Sequence, residues 1–308
     1  MTRRKCRGRL TERSVFQKHD FILRHEEKMA DKSCSSSASC SRSSCEGCPS
    51  AKKGAPDFRI DQNQFSDIRH VIGIVSGKGG VGKSLVTASL ANNLAAMGYR
   101  VGIMDADITG PSIPKMYGLK GPAEVDENGM LPVLTKNDVK VMSLNLLVPD
   151  PEQAVVWRGP VIAGVVKQFW TDVIWGELDY LLVDMPPGTG DVPLTVFQSL
   201  PVDGIFVVTS PQELVQMIVK KACNMASLMN IPVLGVIENY SYLTCPDCGK
   251  KISVFGESHI EKITEELGLK LAGQIPIDPA LAKAADEGCF ESAENAYLKD
   301  AAALLRTM

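Results

Sequence analysis

Two stretches of this chain combine residue types and spacings that can do chemistry. The first is Gly77-Lys78-Gly79-Gly80-Val81-Gly82-Lys83-Ser84, which fits G-x-x-x-x-G-K-S/T. Such a loop binds phosphate when it follows a strand and opens a helix. Val71–Val75 is a short apolar run that reads as a buried strand. Leu85–Met97 carries Val86, Leu90, Leu94 and Met97 at helical spacing. Between them the glycines let backbone N–H groups close on phosphate oxygens, and the helix N-terminus adds positive potential. Lys83 is placed to reach β- and γ-phosphates, and the Ser84 hydroxyl to hold Mg2+. The bland alternative, a glycine-rich turn, does not require this order of strand, loop and helix.

The second stretch is Cys245-Pro246-Asp247-Cys248-Gly249. A C-x-x-C pair closes two thiolates on one metal, and the following glycine permits the turn. Two ligands are half a site, because zinc and 4Fe-4S clusters usually take four. His19, His25, His70 and His259 are scattered and supply no remainder. A two-fold dimer would bring two copies together and complete four cysteines. A zinc knuckle finished by other cysteines, or a redox dithiol, fits the same pair. Cys34, Cys40, Cys45 and Cys48 form another set of four thiols in a Ser-rich segment, enough for one cluster or zinc or left unused in a tail. Cys223 falls in a helical pattern and reads as core; Cys6 and Cys289 carry no spacing signal.

Other candidate groups stand at strand ends. Asp105-Ala106-Asp107 follows the apolar run Arg100–Met104, and Asp184 ends Tyr180–Val183. An acid directly after four buried-type residues needs a partner. Asp184 therefore reads as an acceptor for Mg2+ or its water, with Asp105 as a further oxygen ligand. Asp107 is placed to orient or deprotonate the water attacking a γ-phosphate. Helix capping and solvated turns are the competing roles. Pro186-Pro187-Gly188-Thr189-Gly190-Asp191 is a glycine-bearing loop that could follow the nucleotide state. No Asn-Lys-x-Asp follows a late strand, which disfavours guanine. Asn239 can offer its amide to adenine, with Gln274, Ile275 and Pro276 flanking the base, so ATP is expected.

The elements needed to position these groups are legible. Strands are expected at 71–75, 100–105, 139–144, 180–184, 204–209, 233–237 and 271–275. Helices are expected at 85–97, 112–117, 160–175, 212–228, from a capping box at Ser258–Glu261 to Leu267, from Pro279 and from about Glu294. Buried apolar strands alternating with helices specify an α/β fold, a mainly parallel twisted sheet flanked by helices on both faces. Ligands in such sheets sit at the carboxyl ends of the strands. Residues 1–67 read as a flexible N-terminal tail with a Cys-rich segment at 34–48, and 68–308 as one ATPase domain that includes the 245–248 loop. Residues 1–28 hold nine Lys/Arg against four acids, and Met29 resembles a natural start.

Composition bounds the function. With 44% hydrophobic and 22% charged residues and a formal net charge of -3, the chain looks globular, with no bulk signal for nucleic acid or an anionic membrane. No apolar run is long enough to span a bilayer, and no secretory leader precedes the nine cysteines, so a reducing, cytoplasmic setting is expected.

Five motifs in order carry a resemblance: Lys78–Ser84, Asp105–Ser112, Trp157-Arg158-Gly159-Pro160, Asp184–Asp191 and Cys245–Cys248. Across roughly residues 68–290 the chain resembles the Mrp/ApbC family of iron–sulfur cluster carrier ATPases, whose deviant Walker A loop has a second lysine, here Lys78. The resemblance implies a P-loop NTPase homodimer with ATP near the interface and Lys78 contacting phosphate, often across it. It further implies slow hydrolysis and a labile 4Fe-4S cluster held by Cys245 and Cys248 of both subunits. The cluster would pass to apo iron–sulfur proteins, with cluster assembly factors as further partners. One departure concerns the family branch with an N-terminal cluster, which shows C-x13-C-x2-C-x5-C. Here Cys45 and Cys48 match the middle pair, Gly54 stands where the last cysteine would fall, and Cys34 and Cys40 lie at other distances. The rival readings are a partitioning or division-site ATPase and a zinc-bridged dimeric ATPase chaperone. The first has no use for C-x-x-C and needs a basic surface or an amphipathic C-terminal helix; the end here, Ala296–Arg306, is short, Ala-rich and weakly basic.

Overall fold

Runs of branched and apolar residues become the central strands because both their faces can be buried. A computed structural model describes residues 59–308 except 109, 111, 149–158, 189, 212–214 and 294. Cys34, Cys40, Cys45, Cys48 and the Trp157-Arg158 pair lie outside these residues. In chain order the first strands are β1 (Asp67–Ser76), β2 (Val101–Asp105), β3 (Val133–Leu134), β4 (Lys140–Met142) and β5 (Glu177–Asp184). They are followed by β6 (Gly204–Thr209), β7 (Val233–Asn239), β8 (Leu243–Thr244), β9 (Lys251–Ile252) and β10 (Leu271–Ile275). The helices are α1 (Lys83–Ala96), α2 (Ile113–Met116), α3 (Gly159–Thr171), α4 (Asp191–Ser199), α5 (Val215–Leu228), α6 (Ile260–Glu266), α7 (Pro279–Asp286) and α8 (Lys299–Leu305).

The main sheet runs β10-β7-β6-β1-β5-β2-β4-β3 and is parallel except for the β3–β4 pair. β8 and β9 form a separate antiparallel hairpin. The expected mainly parallel sheet is therefore present. β1 lies at the middle, with β5 on one side and β6 on the other. Its residues Ile72 and Ile74 are fully buried, each worth about 1.5–3 kcal/mol of burial. Helix α1 packs on β1, β2 and β5 through Val86, Leu90 and Leu94, and α5 packs on β6 and β1.

Several local details differ from the sequence expectation. The helix expected to reach Trp175 ends at Thr171, because Met130 N–H donates to the Asp172 carbonyl and Ile174 N–H to the Met130 carbonyl. The strand expected through Leu144 stops at Met142, where a 3₁₀ turn, Leu144–Leu146, begins. The capping box at Ser258 is not reciprocal: Ser258 Oγ accepts from Ile260 N–H and donates to Glu238. The last helix starts at Lys299, with Asn295 tied to the Ser89 hydroxyl and Asn93 donating to the Asn295 carbonyl. The packed body also begins before Ile68. Trp170 Nε1 donates to the Ile60 carbonyl at 2.9 Å, and buried Asn63 donates to the Thr171 carbonyl at 3.1 Å.

Candidate nucleotide and thiol site

The sheet order decides which strand ends meet. Register pairs Asp105 with Asp184 across β2 and β5, and Ile74 with Asp184 across β1 and β5. The loop after β1 therefore opens beside both acids. Gly82 caps α1 with φ 78, a left-handed conformation that disfavours a side chain. It brings no side-chain cap, and no acid lies in the first turn of α1. The first N–H groups of α1 are thus left for an anion.

Asp184 is the hub of this pocket. It is fully buried, and Lys83 Nζ donates to Oδ1 at 2.7 Å, Thr87 Oγ1 to Oδ1 at 2.9 Å and Ser84 Oγ to Oδ2 at 2.6 Å. Asp107 Oδ2 lies 3.7 Å from the same Lys83 Nζ and is partly exposed. Lys83, Ser84, Asp107 and Asp184, named separately from sequence, converge within one pocket. The Ser84 hydroxyl and Asp184 carboxylate make a hard-oxygen pair that fits Mg2+. Lys78, Gly79 and Gly80 are exposed at the loop tip, Gly77 is partly exposed, and Val81 is buried beneath.

Asp105 sits differently from a solvent-facing ligand. It is fully buried, its Oδ2 accepts from Ser143 Oγ at 3.1 Å, and its Oδ1 accepts from Asp107 N–H at 3.2 Å. Burial pushes its carboxyl well above the usual range, and the neighbouring Asp184 charge pushes the same way. Between the ordinary value and this raised one, the folded chain keeps a proton that the unfolded chain has released. Stability is then lost as pH rises through that window. Asp105→Asn, which keeps the acceptor for Asp107 N–H without the charge, is expected to raise the melting temperature more at pH 8 than at pH 5. Equal shifts at both pH values in thermal melts would contradict a protonated Asp105.

Asn239, expected at the base, is buried and braces the loop. Its Nδ2 donates to the Val81 carbonyl at 2.9 Å, and its Oδ1 accepts from Tyr240 N–H at 2.9 Å. Gln274 Nε2 donates to Glu238 and Ser241, and Pro276 is buried next to the joint between β10 and the hairpin. Thr87, Ser143 and Glu238 are hydrogen-bond partners at the site that sequence reading missed. Glu238 had a signal, since it is an acid after a buried run, like Asp184. Thr87 and Ser143 had none, because a hydroxyl in a helix or turn is unremarkable until its partner is known.

Cys245 and Cys248 lie in the turn between β8 and β9. Cys245 N–H donates to the Lys250 carbonyl and Gly249 N–H to the Cys245 carbonyl, each at 2.9 Å, and Gly249 takes φ 70. Cys245 is half-buried and Cys248 exposed. The backbone N–H groups of Cys248 and Asp247, and then the Cys248 side chain, hold the Cys245 thiol below its ordinary value, which favours the ligating thiolate. No group of three or more His, Cys, Asp or Glu that could hold a metal occurs among the described residues. No helix among them is long and apolar enough to cross a membrane.

Comparison with known proteins adds to this geometry. The family model described as "ParA: NUBPL iron-transfer P-loop NTPase" matches residues 67–307. An iron-sulfur cluster carrier protein of Methanocaldococcus jannaschii is 48% identical over 250 residues, covering 78% of this chain and 84% of that protein. A protein of the same description from Clostridium perfringens is 45% identical over 273 residues, covering 85% and 94%. Among solved structures, a nucleotide-binding protein in complex with ADP from Archaeoglobus fulgidus is 44% identical, with a TM-score of 0.68 over 75% of this chain and 91% of that one. The Pyrococcus furiosus cell division ATPase MinD matches at 22% identity and TM-score 0.54, covering 77% and 97%, a likeness of fold alone.

Proposed function

This chain belongs to the NUBPL-type iron-transfer P-loop NTPase family, and on that premise we propose that it is an ATP-dependent iron–sulfur cluster carrier. In this reading it is a cytoplasmic homodimer that slowly hydrolyses ATP. It holds a labile 4Fe-4S cluster as cargo between its subunits and delivers it to apo-proteins. The observation that supports the reading is the pair of half-buried Cys245 and exposed Cys248, half a cluster site, on the hairpin that follows directly from the strand bracing the phosphate loop. Two copies supply four thiolates. Ile252, Val254 and Phe255, each about half exposed on the same segment, offer apolar area for the second copy.

Nucleotide entry has a defined consequence at the loop. Lys83 must leave Asp184 to face β- and γ-phosphates, while Ser84 and Asp184 would hold Mg2+, which supplies charge neutralisation at the phosphates when bound. In this reading Asp107, partly exposed and 3.7 Å from Lys83 Nζ, orients the attacking water, and exposed Lys78 reaches phosphate across a subunit contact. Val81 and the loop glycines Gly77, Gly79, Gly80 and Gly82 supply backbone N–H groups. Asn239 and Pro276 reach the base only if the joint next to β7 opens from the arrangement described above.

Anaerobic reconstitution with iron and sulfide tests the carrier reading. The expected product has a broad visible absorption and about two iron atoms per chain, in a species of twice the chain mass. A product that takes zinc in place of iron, or one that remains a monomer when loaded with iron, would remove the bridged-cluster assignment. The zinc-bridged chaperone would then be the better account.

A further inference from the structure

One side chain stands out by where its partners lie in the chain. Glu238, at the end of β7, is 1% exposed. A buried carboxylate is costly unless hydrogen bonds replace its water. Three donors do so here: the Ser241 hydroxyl, the Ser258 hydroxyl at 2.7 Å and Gln274 Nε2 at 3.1 Å. Ser241 and Ser258 bracket residues 242–257, the segment that carries Cys245 and Cys248. Both ends of the cysteine hairpin therefore converge on one carboxylate.

The segment in between is exposed without interruption from Pro246 to Glu257. Two backbone bonds lie at its root as well: Ser241 N–H to the Ile275 carbonyl at 2.9 Å and Ile277 N–H to the Tyr242 carbonyl at 2.7 Å. Thiol position is thus set mainly at the root.

The next residue on the same strand holds the phosphate loop. Asn239 Nδ2 donates to the Val81 carbonyl, and a Cβ built on Gly82 would lie 2.1 Å from that nitrogen. Successive strand residues point to opposite faces, so Glu238 grips the hairpin on one face while Asn239 grips the loop on the other. Tyr240, which joins them to Ser241, takes φ 58, a conformation that a bulky residue adopts only when its surroundings fix it. No loose linker separates the two grips.

We propose that Glu238 is a positioning residue that roots the cysteine hairpin and, through Asn239, links thiol position to the nucleotide state of the phosphate loop. The proposal rests on the carrier reading for its purpose, but not for its physics. Phosphate entering the loop displaces Lys83 from Asp184 and shifts the Val81 backbone. That shift passes to the β7 terminus and from there to both ends of the hairpin.

Hydrogen exchange of the full-length, iron-free protein with and without saturating ADP tests this. In the wild type, ADP is expected to change exchange of the 242–252 amides several-fold. In Ser258→Ala the same amides should exchange about tenfold faster. Their ADP response should disappear while ADP affinity stays within about twofold. Glu238→Gln keeps a carbonyl acceptor for the hydroxyls and should retain part of the response. A merely structural brace would speed exchange in Ser258→Ala and leave the ADP difference intact, and that result overturns the proposal. So does a wild-type hairpin indifferent to ADP. Iron loading is read separately: a wild type that binds no iron yet shows this exchange pattern defeats the carrier reading and leaves the linkage standing.

Discussion

Lys83→Ala is expected to lower ATP turnover by on the order of 100- to 1,000-fold and to destabilise the nucleotide-free protein by about 3 kcal/mol. The two effects have separate causes. Turnover falls because the ammonium that neutralises charge at the β- and γ-phosphates is gone. Stability falls because Asp184 is fully buried and loses its 2.7 Å cation partner. Breaking a buried ion pair from one side costs about 3–5 kcal/mol, and the Ser84 and Thr87 hydroxyls that remain on Asp184 place this case at the lower end. Lys83→Met keeps most of the hydrocarbon stem and should lose the same turnover, which separates charge from packing. Phosphate release and denaturant melts read the two effects independently. Turnover within about threefold of wild type would show that Lys83 does not face the phosphates.

The second large effect is at the thiols. The double change Cys245→Ala/Cys248→Ala is expected to bring bound iron after reconstitution down to background. Both residues lie on a surface hairpin, so the fold should hold, with stability within about 0.5 kcal/mol of wild type. ATP turnover measured without iron should stay within about twofold, because neither side chain touches the phosphate loop. A double variant that still loads the wild-type amount of iron would move the cluster off this hairpin. The N-terminal set Cys34, Cys40, Cys45 and Cys48 would then become the site to test, by removing residues 1–53 and measuring iron per chain.

Much of the site was readable because its chemistry is local. A glycine loop between an apolar run and a helical pattern has few other uses, and β1 and α1 are where the pattern placed them. Asp184 announced itself as an acid at the end of a buried strand, and it is the pocket's hub. Element ends were less legible. Nothing local marks the end of α3 at Thr171, because the backbone of Asp172 and Ile174 pairs with Met130, a residue far away in the chain. Ser258 looked like a helix cap because a cap is the nearest use for a serine there. Its stronger partner is Glu238, twenty residues earlier in the chain.

The sequence by itself determined the two candidate chemistries, phosphate binding at Gly77–Ser84 and, in the proposed reading, soft-metal ligation at Cys245 and Cys248. Each is written in a short run of residues whose spacing dictates what it can hold. Only the tertiary structure decided how the two are joined. The sheet order β7-β6-β1-β5-β2 is not the chain order, so no local pattern says which strand ends will be neighbours. It is that order which sets Asp105 beside Asp184 and buries it, and which brings Asn239 across 158 residues to the Val81 carbonyl. With Asn239 on one face of β7 and Glu238 on the other, one strand terminus holds both the phosphate loop and the cysteine hairpin.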